Sequence, residues 1–175
     1  MKRIIASFAA VAAIAVGAPA FAGDQNFQPW NSYQNLNTTS ALGSLDVEQT
    51  VALSCSAAFQ VYFESDGKRA WLTSASLSGG FLGLCGLVGF PGLAHEILIE
   101  EPGPAFSGDA TKLRILNLTV DTLTAKCQGD VVADWNNSTK VLSFNNVTIP
   151  GLNGAKECKI NGKLQAGSSV DIERL

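Results

Sequence analysis

The sequence predicts an all-β domain: a small antiparallel β-sandwich stapled by disulfides and preceded by a signal-peptide helix. Three observations favour this fold class. Short runs of residues alternate apolar with polar side chains, which is typical of strands with one buried face. The 17 glycines and the charged fraction of 15% suit a compact, turn-rich domain. Beyond the first 22 residues, no apolar repeat with a period of about 3.6 residues lasts longer than a turn or two.

The first 22 residues have the three regions of a cleavable secretory signal. Lys2 and Arg3 supply positive charge, and residues 4–17 are almost wholly apolar. Residues 18–22 read Ala-Pro-Ala-Phe-Ala, the small-x-small pattern of a cleavage site. A membrane anchor is the alternative, but the apolar run is shorter than the roughly 20 residues that span a bilayer. The sequence therefore predicts export, either to the periplasm or out of the cell.

Cleavage would leave residues 23–175, the size of a single domain. Because two of the 12 basic residues leave with the signal, ten face 15 acidic ones, and the net charge becomes −5. Nucleic-acid binding rests on clustered Lys and Arg, so no nucleic-acid partner is expected. Residues 23–46 are rich in Asn, Gln, Ser and Thr and predict an extended polar arm with one short strand at most. Residues 47–175 then form the β-sandwich.

Strand-like runs fill the predicted sandwich. Ser65, Asp66 and Gly67 separate two of these runs and indicate a hairpin, because Asp and Gly tolerate positive φ. Asn136 and Asn137 lie between two later runs in the same way. The predicted strands are residues 50–55, 58–63, 70–77, 96–100, 113–120, 131–135, 141–144, 159–164 and 169–172.

The four cysteines fall into two pairs with similar spacing. Cys55 and Cys85 are 30 residues apart, and Cys127 and Cys158 are 31 apart. A strand–turn–strand pattern follows the first cysteine of each pair, which suggests two related units, with chance similarity as the alternative. Four cysteines in an exported chain usually form two disulfides. The repeat favours Cys55–Cys85 with Cys127–Cys158, while a cross-sheet pairing of Cys55–Cys127 with Cys85–Cys158 stays open.

Groups that could carry chemistry are few. No C-x-x-C spacing supports a zinc or redox site, and no dense run of Asp and Asn supports calcium. His95 is the only histidine, and no G-x-S-x-G elbow accompanies it. Asp130 and Asp134 would share one strand face, and paired carboxylates can perform acid–base catalysis. We predict no catalytic residue, no cofactor and no metal ligand, with a small exported hydrolase around His95 or the acid pair as an alternative.

Residues 80–93 form the most unusual segment, because glycine recurs at every third position among apolar side chains. A collagen triple helix is rejected, since the segment is too short and too poor in proline. Filling the core is the simplest role for this loop. The functional hypothesis is that part of it stays exposed and contacts hydrocarbon, lipid or another subunit. Its candidate contact residues are Phe81, Leu84, Leu87, Val88 and Phe90.

Short motifs surround the cysteines: LSC at residues 53–55, LTSASLSGG at 72–80, LCGLVGFP at 84–91, AKCQG at 125–129 and CKING at 158–162. In these motifs the chain resembles the bacterial family of protein activators of alkane oxidation, the PraB-like secreted proteins. The resemblance covers most of residues 47–170 and leaves out the polar arm. It implies a small exported accessory protein linked to growth on alkanes and to surface or biofilm behaviour, and it carries over no catalytic residue.

The leading hypothesis is therefore a non-enzymatic exported protein that aids hydrocarbon use or surface association. Its expected partners are hydrocarbon, lipid or the cell-envelope surface, or a second copy of the chain. The alternative from another class is an adhesion or matrix subunit that assembles through exposed strand edges, with residues 23–46 exchanged between subunits.

Overall fold

The computed structural model describes residues 25–29, 38–103 and 105–175, and the predicted signal peptide lies outside this part of the chain. The described residues are mostly β, as the sequence predicted, with two short 3₁₀ helices at Phe81–Leu87 and Leu152–Gly154. The strands are β1 (Gln25–Pro29), β2 (Thr38–Glu48), β3 (Ala52–Phe63), β4 (Ala70–Ser78), β5 (His95–Glu101), β6 (Gly108–Asp109), β7 (Lys112–Asp121), β8 (Lys126–Asn136), β9 (Val141–Ile149), β10 (Cys158–Ala166) and β11 (Val170–Arg174).

Eight strands close into an antiparallel barrel in the order β10-β2-β3-β4-β5-β7-β8-β9. The predicted sandwich is therefore wrong, because the sheet meets itself and leaves no pair of facing sheets with free edges. Two joints in the barrel are short: β4–β5 and β8–β9 have three residue pairs each, whereas β2–β3 has eleven. Apolar–polar alternation is the same in a sandwich and a barrel, since both bury one face of every strand. The alternation could not distinguish the two.

The strand connections lie at two ends of the barrel. A second sheet, β1-β11-β6, covers what we call the capped end. Phe27 of β1 is buried there with Val170 and Ile172 of β11, and its ring centroid lies 6.1 Å from that of Phe63. The opposite loop end carries the β2–β3 and β7–β8 turns and both 3₁₀ helices.

Polar contacts attach the second sheet to β5. The buried guanidinium of Arg174 donates hydrogen bonds to the carbonyls of Ile99 and Pro102, the latter at 2.8 Å. The backbone N–H of Ile99 donates to Oε1 of Gln25 at 2.7 Å. Both β1 and β11 are thereby fixed to the barrel by groups that would otherwise be buried without partners.

One hydrophobic core fills the barrel. Inward-facing residues alternate with outward-facing ones along most of the strands, as in the predicted pattern, and a register shift in β7 between Ile115 and Leu118 moves the alternation by one residue. In the middle of the barrel, Phe59 meets the rings of Phe90 and Phe144 edge-on, at centroid distances of 5.6 and 6.5 Å. Edge-on aromatic pairs of this kind stabilise a core beyond the area that they bury.

Strand β2 lies mostly within the predicted polar arm, and the predicted boundary at residue 47 falls inside it. Its inward side chains are Ala41, Leu45 and Val47, while Ser and Thr dominate its exposed positions. Gly43 lies where β10 approaches most closely, since a Cβ there would lie 2.0 Å from the carbonyl oxygen of Lys163. Because Leu42 points outward and residue 43 is a glycine, β2 lacks the regular apolar alternation by which the other strands were predicted.

Gly43→Ala is expected to destabilise the barrel, because the added methyl group would force β2 and β10 apart. Overpacking usually costs about 1–3 kcal/mol in the free energy of unfolding, measurable by guanidinium denaturation. Gly86→Ala is the matched control, since a Cβ at Gly86 would meet nothing within 4 Å. Equal losses in the two variants would contradict the close approach as the cause.

Candidate functional site

Two disulfides, Cys55–Cys85 and Cys127–Cys158, lie toward the loop end in the pairing that the repeat favours. In both units a hairpin is followed by a 3₁₀ helix, and a cysteine in or after that helix bonds back to the first strand of the hairpin. One disulfide fixes the loop between β4 and β5 to β3, and the other joins β8 to β10 across β9. The disulfides thus reinforce the barrel beside its two short joints.

Residues 80–93 connect β4 to β5 and fill the gap beside their short joint. Gly80 has φ 71°, and a Cβ on it would lie 2.4 Å from Sγ of Cys85, so the disulfide can close only beside a glycine. After the 3₁₀ helix, Gly89 and Asp121 of β7 exchange backbone hydrogen bonds of 2.9 and 2.8 Å. The loop is therefore anchored at both sides, by the disulfide to β3 and by its backbone to β7.

The structure divides the five predicted contact residues. Phe81 and Leu87 are exposed, at 75% and 63%, and Leu84 is half-buried against the core. Val88 and Phe90 are buried and do not belong to an exposed surface, because the loop turns inward after the 3₁₀ helix to fill the gap beside β4. For these two residues the predicted contact role is wrong.

Three exposed apolar residues of the loop end were not among the predicted contacts. Leu82 is 83% exposed, and its φ of 52° turns its side chain away from the core within the 3₁₀ helix. Val51 of the β2–β3 turn and Leu123 of the β7–β8 turn are about half exposed and line one shallow depression with Val88. We call the set the apolar loop surface: Val51, Phe81, Leu82, Leu87 and Leu123.

A buried glutamine holds the turns beneath this surface. Oε1 of Gln49 accepts hydrogen bonds from the hydroxyls of Thr122 and Thr124, at 2.5 and 2.8 Å. Its Nε2 donates to the carbonyl of Lys156 at 2.9 Å. One side chain thus connects three loops that are distant in sequence. Sequence reasoning missed it, because a single Gln beside a strand is not distinctive.

The candidate catalytic groups do not come together. His95 points into the barrel, where its Nε2 has no hydrogen-bond partner among the described residues. Asp130 and Asp134 share the outer face of β8, as predicted, but Asp134 accepts a hydrogen bond from Asn145 and Asp130 lies 3.4 Å from the guanidinium of Arg114.

Arg114 also binds a second carboxylate, with two hydrogen bonds of 2.6 and 2.8 Å to Glu100. Hydrogen bonding to Glu100 and the charges of both acids raise the pKa of Arg114 above its ordinary value. Acids that form ion pairs on the outer face of a strand usually have a structural role, and here they belong to the wall of the barrel.

The described part of the chain contains no group of three or more His, Cys, Asp or Glu side chains placed to hold a metal ion. Among the same residues, no helix has the length and apolar character of a membrane span.

Removing Cys55 and Cys85 together, as alanines, is expected to loosen the apolar loop surface. Closing a loop of this length stabilises a fold by about 3–4 kcal/mol, and amides of residues 80–89 should exchange hydrogen faster once it is lost. The matched control replaces Cys127 and Cys158, which should lower stability by a similar amount and leave exchange in residues 80–89 slow. Similar exchange in the two variants would contradict the local role of the first disulfide.

The comparisons with known proteins give one match. No curated protein and no solved structure matches the chain. Residues 1–174 match the family described as "Alkane oxidation protein activator PraA/PraB-like", well beyond the segment in which the motifs were first noticed. The two disulfides indicate a non-cytoplasmic location, which agrees with the secreted character implied by the resemblance. The chain belongs to the PraA/PraB-like family of alkane oxidation protein activators.

Proposed function

We propose that the protein is an exported, non-enzymatic accessory factor that assists alkane oxidation by contacting hydrocarbon or a hydrocarbon-coated cell surface. The observation that carries this proposal is the exposure of Phe81, Leu82 and Leu87 on one anchored loop. Exposed apolar side chains that lie together commonly mark a contact site. An exposed apolar surface can contact such a partner without matching a fixed ligand shape.

The anchoring of the loop supports this role. The disulfide at Cys85 and the backbone pairing of Gly89 fix the 3₁₀ helix in the free protein. A surface that is already ordered loses little conformational entropy on contact, so more of the apolar burial contributes to adsorption. A merely structural loop would gain nothing by exposing three large apolar side chains.

Two observations support assistance outside the cytoplasm over catalysis. Stable disulfides form mainly in oxidising compartments, and this chain has two. The family is described as an activator, and His95 lies in the barrel interior while the acid pair lies on its outer face. We propose that separate enzymes carry out the oxidation and that this protein acts at the hydrocarbon or the envelope.

A second candidate function is that of an adhesion or matrix subunit. Residues 74–78 of β4 pair with β3 on one side, and no strand of the described chain pairs with their other side, which residues 80–93 cover. Displacement of that loop would leave an edge that can pair with another chain. This candidate predicts oligomers or fibres whose amount rises with protein concentration.

The test of the leading proposal compares two double variants of matched composition and exposure. Phe81→Ser with Leu87→Ser removes side chains that are 75% and 63% exposed at the loop end. Phe106→Ser with Leu175→Ser removes side chains that are 70% and 66% exposed outside the loop surface. Adsorption of the mature protein to hexadecane droplets should fall about tenfold in the first variant and stay unchanged in the second.

Melting temperature and growth of a complemented deletion strain on hexadecane are measured in parallel. Unchanged adsorption by the loop variant at unchanged melting temperature would refute the proposal. Equal losses of adsorption in both double variants would show that general surface hydrophobicity causes adsorption, which would also refute the proposal. Growth on hexadecane should follow adsorption.

A further inference from the structure

An apolar cavity of about 40 Å³ lies inside the barrel at the capped end. Its space arises where Ala41, Ala70 and Ala166 face inward from three strands, in place of the larger side chains of the mid-barrel core. Among the described lining residues, Thr39 has the one polar side chain. Apolar cavities stay dry and take apolar guests, as a cavity of roughly 150 Å³ takes benzene.

Phe27 of β1 closes this cavity from the capped end. Its ring is buried, and its backbone N–H donates to the carbonyl of Gly67 at 2.7 Å. Within the described residues, β1 pairs with β11 alone, and neither strand belongs to the eight that close the barrel. Rotation of the Phe27 side chain would enlarge the cavity by the space of its ring, while the hydrogen bonds that fix β1 and the strand pairs of the barrel stay in place.

We infer that this cavity, with Phe27 as its plug, binds the end of one unbranched alkyl chain that has no charged head group. At its present size the cavity holds a short piece of chain, so a longer piece enters as Phe27 moves aside. None of the described residues that line the cavity is charged, and the ammonium group of Lys140, whose carbonyl accepts the backbone N–H of Ala166, is already paired with Asp171. The choice of a hydrocarbon as the ligand rests on the proposed function, whereas the location of the site is inferred from the cavity alone.

The probe is 1-bromohexane, because bromine quenches tryptophan fluorescence on contact. Trp135 lines the cavity, whereas Trp71 lies on the outer face of β4 and donates a hydrogen bond to Glu64 at 3.1 Å. The measurements use the mature protein with Trp30→Phe, combined with either Trp71→Phe or Trp135→Phe. Saturable quenching is expected where Trp135 remains, and weak, non-saturating quenching where Trp71 remains.

Variants of the cavity sharpen the test. Ala166→Leu, with Ala70→Val as a second filling variant, should weaken the saturable quenching at least about fourfold, the effect of one excluded methylene. In the parent, affinity should rise about fourfold per methylene from 1-bromobutane upward until the cavity is full. Phe27→Ala should extend this rise to longer chains. Phe90→Ala, which removes a buried ring that does not line the cavity, should leave the length limit unchanged.

Melting temperatures show which variants are folded, and the quenching results of the folded variants decide the test. Equal quenching of Trp71 and Trp135, or no effect of either filling variant, would overturn the site. Equal affinity for 6-bromohexanoate would overturn the exclusion of a charged head group and indicate an acyl chain. The Phe81→Ser/Leu87→Ser variant leaves the cavity intact, so lost adsorption with retained quenching, or the reverse, separates this inference from the proposed function.

Discussion

The barrel closes through two joints of three residue pairs each, and the architecture of the loop end follows from their shortness. β4 continues to Ser78 beyond the point where β5 begins, and β8 and β9 share three pairs at one end alone, so apolar side chains and backbone groups beside both joints need cover. Residues 80–93 cover the gap beside β4. Residues 150–157 cover the gap beside β9, where the carbonyl of Pro150 accepts a hydrogen bond of 3.0 Å from the backbone of Gln128. Both covering loops end in or contain a disulfide partner, which offsets the entropy of ordering them.

Because residues 80–93 cover the gap beside β4, the loop has apolar side chains both on the side that faces the core and on the side that faces solvent. Val88 and Phe90 point inward and complete the core. In the 3₁₀ helix that precedes them, Phe81, Leu82 and Leu87 are exposed to solvent. A loop used only as cover could have polar residues at its outward positions at no cost to the core. The exposed residues therefore need an explanation outside folding, and a contact surface supplies one.

Much of the fold could be predicted from local patterns. Alternation located β7 and the second half of β8, the Asp66-Gly67 turn located one hairpin, and the cysteine spacing favoured the observed disulfides. Closure into a barrel could not be predicted, because it depends on three pairs between strands that the sequence does not align. Adjacent apolar residues such as Leu87 and Val88 are chemically alike, so only the turn geometry determines which of them is buried. The hydrogen bonds of Gln49 to three loops and the apolar cavity could not be predicted either, because both depend on tertiary contacts alone.

The two apolar features differ in kind and lie at opposite ends of the barrel. The apolar loop surface is exposed to solvent, whereas the cavity is lined by the barrel interior and would discriminate chains by length and head group. Strand β3 has 12 residues, and at about 3.3 Å per residue and the usual tilt of about 40° it separates the two ends by roughly 30 Å along the barrel axis. Adsorption through the loop end would therefore leave the capped end facing water. A chain bound there would be exposed at its free end to a second protein, which suits an accessory that passes on hydrocarbon instead of transforming it.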